Sequence, residues 1–454
     1  MAAVDASIYE KFIVESADGG RTVDIRQGVV GFVYYENILA PSVTATVVVV
    51  NTGGTIRGEN GKMQGIYNGL PLRGGERVII KIAGNSKSND GLDFSKDVTQ
   101  YFYVASIKNV SVDAEKELFT LHLVSRESIT NQTIRVGRKF STSQTISDSV
   151  SDIIKDYLKS DKLGTIDKTQ NKYGFIGNLK KPFSVITWLA SKSVAYNGPG
   201  KDSTAGFLFY ETQDGFNFRS IDNLINQEPF EKDYTYSPGV VKFDDPGKDF
   251  KIIKYSIDRN QDLMGKLQRG AYSSERYYIN PVSFKPDIRH FKSTDYMGDD
   301  GINNLGDEKI SLPTIDDDKS LGDLPTRIFV GMLDVGTVEK TTTDKGWNDP
   351  VERNADPAKT QAQSMMRYNQ LMSQIVEITV PLNTNLNAGG VIRCVFPSID
   401  RSKRKSPDVQ SSGLYMIREL AHYFDNKGSY TKLKIVRDSS GRKWEIIIYS
   451  KLIF

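Results

Sequence analysis

Enzyme chemistry needs nucleophiles, proton carriers or metal ligands at workable spacing, and this chain is poor in all three. It has one cysteine, Cys394, and three histidines, His122, His290 and His422. A single cysteine makes no internal disulfide, which excludes the disulfide-scaffold class. So few His and Cys residues leave a zinc site without ligands unless carboxylates dominate it. His122 lies between Leu121 and Leu123, and His422 between Ala421 and Tyr423, alternating settings that read as ordinary strand positions. The glycine clusters Gly53-Gly54 to Gly58 and Gly74-Gly75 lack the Gly-Lys-Ser/Thr ending and the following helix of a phosphate loop, so they read as turns. Asp299-Asp300-Gly301 and Asp316-Asp317-Asp318 lack the spacing and terminal Glu of an EF-hand and read as solvated loop. The basic run Arg401-Ser402-Lys403-Arg404-Lys405 reads as a wet hairpin tip. Asn109-Val110-Ser111 and Asn131-Gln132-Thr133 match glycosylation sequons, which a cytoplasmic product never presents to that machinery. No Ser-His-Asp, Cys-His or paired-carboxylate pattern stands out. The sequence nominates no catalytic, cofactor-binding or metal-binding residue, and no cofactor or enzymatic activity is expected.

The elements that would carry any site are mostly strands. At roughly 150 residues per domain, 454 residues suggest about three domains. Lys+Arg 59 against Asp+Glu 56 gives a net charge of +3, without the cationic excess of a nucleic-acid binder. Phe 21, Tyr 22 and Trp 3 supply ample material for a core, and Gly 38 leans towards β-structure with tight turns. The start has no basic region followed by an apolar core, and no apolar run approaches the ~20 residues that span a bilayer. Folding in a cytoplasm is expected.

Residues 1–128 read as a first β-barrel domain, with β-branched and aromatic runs separated by Asp-Gly and Asn-Gly turns. Residues 129–225 read as an inserted α/β module. Ser143 to Lys159 carries a helical apolar stripe with Thr142 or Ser143 as cap, a second helix follows Pro182, and Gly206–Tyr210 and Phe216–Ser220 form a hairpin. Residues 226–295 read as a connector and the first strands of a second barrel, including Gly270 to Ile279. Residues 296–374 form a loop-rich insertion ending in a helix, residues 375–438 supply the remaining strands, and residues 439–454 form a tail. The fold class is mainly β with α/β insertions.

An offset of 312 places Tyr103 on Tyr415, Asp113 on Asp425, Leu121 on Leu433, Val124 on Val436 and Ser128 on Ser440 without a gap. Just upstream, Gly75-x-x-Val78-x-Ile80-x-Ile82 is similar to Gly389-x-x-Ile392-x-Cys394-x-Phe396. Unrelated hairpins share such patterns, so duplication and coincidence both stay open on these residues alone.

Several stretches, in order, resemble the central baseplate hub of contractile-tailed, T-even-type bacteriophages. They are Gly19-Gly20-x-x-Val23-Asp24-Ile25, Tyr35 to Leu39, Gly69 to Val78, Lys181 to Ala190, Gly206 to Tyr210, Leu386 to Ile392, Ser412 to Arg418 and Tyr430 to Asp438. The module is also similar to the hub part of type VI secretion spike proteins. The resemblance implies two related tube-type antiparallel β-barrels per chain. It implies a homotrimeric hub ring that adapts the sixfold tail tube to a trimeric cell-puncturing spike. Tape-measure protein and DNA would pass through its channel, and the protein would reside in the virion tail baseplate after assembly in the host bacterial cytoplasm. The chain ends without a spike β-helix, so the spike would be another polypeptide. The rival reading is a β-rich tail enzyme or glycan-binding tail protein. The apolar tail residues Trp444, Ile446, Ile448, Tyr449, Leu452 and Phe454 either dock on a partner or form a last strand of their own domain, since an exposed apolar strand invites aggregation.

Overall fold

The computed structural model describes residues 5–441, except 55, 58–61, 86–89, 114, 199–202, 237–247, 260, 280–283, 285, 297–303, 308–311, 317–318, 333–356 and 399–406. Its main feature is one 15-stranded sheet built from both ends of the chain. In the first half, neighbours run in the order Tyr9–Glu15, Arg77–Ile82, Phe102–Val112, Glu117–Ser125, Thr44–Asn51 and Val29–Asn37, all antiparallel. Alternation drives the curl: Phe32, Tyr34, Val47, Val49, Val78, Ile80, Leu121 and Leu123 point inward and are buried, while most of their neighbours in sequence are more exposed. Between Tyr9–Glu15 and Val29–Asn37 the rings of Phe12 and Phe32 meet edge-on, centroids 5.7 Å apart.

The second half forms a closed circuit of hydrogen-bonded neighbours. Lys254–Arg259 pairs with Gln374–Pro381, which pairs with Ser429–Arg437, then Gly413–Asp425, then Val391–Val395. Tyr234–Tyr236 adds in parallel to Val391–Val395, and Lys251–Ile252 adds to it. The circuit returns at Ile253, whose N–H donates to Thr379 O (2.8 Å).

The two halves share a turn plan. Asp113 N–H donates to Lys116 O (2.9 Å), and the Asp113 carboxylate accepts from the Glu115 and Lys116 N–H groups (2.9 and 2.8 Å). Asp425 N–H donates to Gly428 O (3.0 Å), and its carboxylate accepts from Lys427 and Gly428 (2.7 and 2.8 Å). Each residue of the second turn lies 312 positions after its counterpart. The strands leave both turns in one register, Leu118 facing Ser111 and Tyr430 facing Tyr423. Upstream, Gly75 (φ 92°) and Gly389 (φ 86°) occupy the left-handed region and donate to Val104 O and Ile417 O, each at 2.8 Å.

The module between the halves has its own core, in which Val150, Ile153 and Ile154 meet Ile186, Leu189, Phe216 and Phe218. Its first helix is capped by Thr145, whose hydroxyl accepts from Asp148 N–H, not by Thr142 or Ser143, because the chain turns into helix only at Ile146. A helix at Arg126–Thr133 leads into it, unexpected from its polar sequence. The hairpin Phe207–Thr212 and Gly215–Ser220 turns at Gln213-Asp214.

Strand Ser273–Ile279 was expected in the second barrel. It pairs instead with Pro286–Lys292 and, in parallel, with Ile328–Met332, forming a separate three-stranded sheet. The loop-like stretch 296–355 thus contributes a strand whose alternation is too short to read locally. The helix Pro357–Leu371 packs through Ala362 and Met366 against Phe291 of that small sheet.

Candidate assembly surface and channel wall

The two halves are welded by a strand joint. The end of Gly413–Asp425 pairs antiparallel with Val29–Asn37, from Glu419 opposite Asn37 to Asp425 opposite Gly31. On its buried face the His422 ring stacks on Tyr34 (centroids 6.1 Å, planes 11° apart), and Phe424 meets Phe32 at 5.9 Å. Burial holds the imidazole neutral, its pKa pushed down to about 3, and its Nδ1 lies 2.9 Å from the Thr431 hydroxyl. Removing each such ring from water contributes roughly 2–3 kcal/mol before entropy is counted.

Two buried carboxylates tie the module to this joint. The Glu36 carboxylate accepts from the Tyr34 hydroxyl (2.8 Å), Gln213 N–H (2.8 Å) and Ala388 N–H (2.7 Å). It therefore joins the first half, the module and the second half at one point. Burial raises its pKa to about 7 against the pull of those donors. Glu211, raised by burial to about 7, accepts from Val43 N–H (3.0 Å) and the Ser125 hydroxyl (2.8 Å). Lys162 Nζ reaches Glu127 (3.1 Å) and Glu211 (3.6 Å). Farther along, Arg367 donates to Asp222 (2.7 Å), clamping the Pro357–Leu371 helix to the module. These perturbed acids have their oxygens taken up by fixed donors, as in a structural latch.

The opposite face of the same sheet mixes aromatic, hydroxylic and charged side chains. Tyr35, Thr44, Ala421, Tyr423, Lys432 and Glu377 border a recess of about 800 Å³ that crosses the joint. Tyr423 stacks on Tyr430 (4.8 Å, 8°), and Lys432 Nζ lies 4.7 Å over the Tyr423 ring. Lys434 pairs with Glu377 at 3.0 Å. Its charged side chains pair with one another, so no single charge dominates this face.

The residues singled out in the sequence fall apart spatially. Cys394 is fully buried, its thiol pushed up by desolvation, and is inert core. His122 lies within Glu117–Ser125, its ring 3.3 Å from the Thr46 hydroxyl, and its pKa is pushed down, chiefly by desolvation. His290 Nε2 lies 2.9 Å from the Ser273 hydroxyl. Gly53-Gly54 lies in a turn, and Gly74 N–H donates to the Glu76 carboxylate (3.0 Å). Asp299 to Gly301, the 401–405 run and the tail residues Trp444, Ile446, Ile448, Tyr449, Leu452 and Phe454 lie outside the described residues. Among the described residues, no group of three His, Cys, Asp or Glu side chains could hold a metal, and no helix is long and apolar enough to cross a membrane. Sequence reading missed Glu36, although its parity with Phe32 and Tyr34 places it on the buried face.

No protein-family model matches the chain, and no curated protein does. Solved structures do. The 43 kDa tail protein of prophage MuSo2 from Shewanella oneidensis is 11% identical, with 94% of this chain and 98% of that one covered at a TM-score of 0.50. The tail protein from Neisseria meningitidis MC58 is 10% identical, with 95% and 97% covered, also at 0.50. A prophage tail protein from Listeria monocytogenes EGD-e aligns over 94% of both chains at 10% identity and a TM-score of 0.41. The coverage of both chains nearly end to end makes the likeness one of whole architecture: this chain has the mainly β fold of these phage tail proteins.

Proposed function

We propose that the chain is a structural protein of a phage tail baseplate, forming the central hub of a contractile tail. Three copies make a ring that joins a sixfold tail tube to a trimeric spike. The observation that carries this reading is the repeat: two β-halves with the same turn, register and glycine bonds stand side by side in one chain. Three such chains present six near-equivalent units to a tube ring, while the differences between the halves leave a threefold face for the spike. Contacts of this kind are heterologous, and a threefold rotation closes them into a ring. The mixed face across the joint would then line the channel for tape-measure protein and DNA. A net charge of +3 permits close association of copies. The role is non-enzymatic, in keeping with neighbours described as tail proteins. Native mass spectrometry of the full chain tests this. A mass of three copies is expected; two or six copies would refute the symmetry adaptor.

A further inference from the structure

The joint inside the chain has a counterpart that the chain leaves unfilled. Within one half, Val29–Asn37 is the strand next to Thr44–Asn51, and its other edge receives the far end of Gly413–Asp425. The repeat identifies the equivalents. Tyr34 pairs with Ala45, which pairs with Leu123; in the second half Ile257 pairs with Val376, which pairs with Ile435, and Leu123 and Ile435 lie 312 apart. By the same ladder Phe32 corresponds to Tyr255, and Gly31 to Lys254. Strand Lys254–Arg259 is therefore the second-half copy of Val29–Asn37. Its pairing among the described residues is to Gln374–Pro381 alone.

The donor side is equally empty. Phe102–Val112 is the first-half copy of Gly413–Asp425, and beyond Val104 its edge facing Arg77–Ile82 has no strand partner among the described residues. Offsetting by 312 makes Val110 the counterpart of His422, Val112 of Phe424, and Asp113 of Asp425. The burial contrast decides what these edges are for. Inside the chain, Phe32, Tyr34, His422 and Phe424 are 0, 0, 1 and 2% exposed. Their counterparts Val110, Val112 and Ile257 are 42, 53 and 45% exposed. Apolar side chains on two free strand edges are a liability that folds cover.

We propose that the outer half of Phe102–Val112 in one copy pairs antiparallel with Lys254–Arg259 of the next copy, with Val112 opposite Tyr255 and Val110 opposite Ile257. The partner is a second copy of this chain, because the internal joint pairs the homologous edges and the two edges left here lie on different halves. In this register Asp113 faces Lys254, an opposite-charge cross-strand pair. The contact repeats the internal joint and turns the sheet of each copy into one continuous wall. It rests on the ring reading above and adds its register.

Disulfide trapping in the full chain tests it. Facing residues of an antiparallel pair have Cα atoms about 4.5–5.5 Å apart, within the roughly 4.4–6.8 Å that a disulfide spans. Val110→Cys with Ile257→Cys, or Val112→Cys with Tyr255→Cys, should give oxidised dimer and trimer bands ending at three. Each single variant should give none, since Cys394 is buried. Val110→Asp, at an exposed position, should keep the far-ultraviolet circular dichroism of the folded chain and lower the native mass to one copy. A three-copy mass that neither double variant traps and Val110→Asp does not disturb overturns this joint and leaves the hub reading standing. Bands continuing past three keep the joint and overturn the closed ring; a wild-type chain that stays a single copy overturns both.

Discussion

Glu36 is the point at which the three parts of the chain meet, and its titration should be readable in stability. The carboxyl is fully buried and its pKa rises from 4.5 to about 7, chiefly by desolvation. A group whose folded pKa is raised binds its proton more tightly when folded. Its contribution is complete below the unfolded pKa and is lost as pH rises through the folded one. A displacement from 4.5 to about 7 corresponds to roughly 3 kcal/mol, lost between about pH 4.5 and 7.5. The perturbation is Glu36→Gln. Protonated Glu36 can donate to the Tyr34 hydroxyl and still accept both backbone N–H groups. An amide has a single acceptor oxygen, so either Gln213 or Ala388 loses its partner, at a cost of about 1–3 kcal/mol. The variant should be less stable than wild type at pH 4.5, and the gap should shrink as pH rises and close or reverse near neutrality. Urea unfolding of both proteins from pH 4 to 8 measures this. Glu211 titrates in the same window but is common to both proteins and cancels in the difference. A gap that stays constant or widens with pH would show that Glu36 is not a desolvated acid at this junction.

Other outcomes follow from the same geometry. His422 has its pKa lowered to about 3 by burial, so its contribution is present above pH 6.5 and lost as pH falls towards 3. His422→Phe should flatten the acid limb of the melting temperature against pH, and an unaltered limb would refute the assignment. Gly75→Ala should cost about 1–2 kcal/mol, the left-handed penalty alone, since a Cβ there meets nothing within 4 Å. Gly389→Ala adds a clash with the Tyr210 hydroxyl, worth about 1–3 kcal/mol more, and equal losses in denaturant would contradict the packing. Arg367→Met leaves Asp222 with Thr204 as its remaining donor in a buried site, and should destabilise the chain by about 3–5 kcal/mol in urea unfolding.

The amino-acid sequence by itself determined the local plan. Alternation specified the strands, Asp113 and Asp425 specified matched turns, and Gly75 and Gly389 marked the left-handed positions that precede each repeat's inner strand. The 312 offset was legible because it preserves spacing, a property of the chain alone. Tertiary structure decided how the halves meet. His422 and Tyr34 are nearly 400 residues apart, and nothing local in either strand says that one edge will seek the other. It also decided that Ser273–Ile279 leaves the large sheet, because strand pairing is a choice among partners that alternation does not name. Glu36 shows the same limit: parity put it on the inner face, but only the approach of Gln213 and Ala388 supplies the donors that make a buried carboxylate tolerable there.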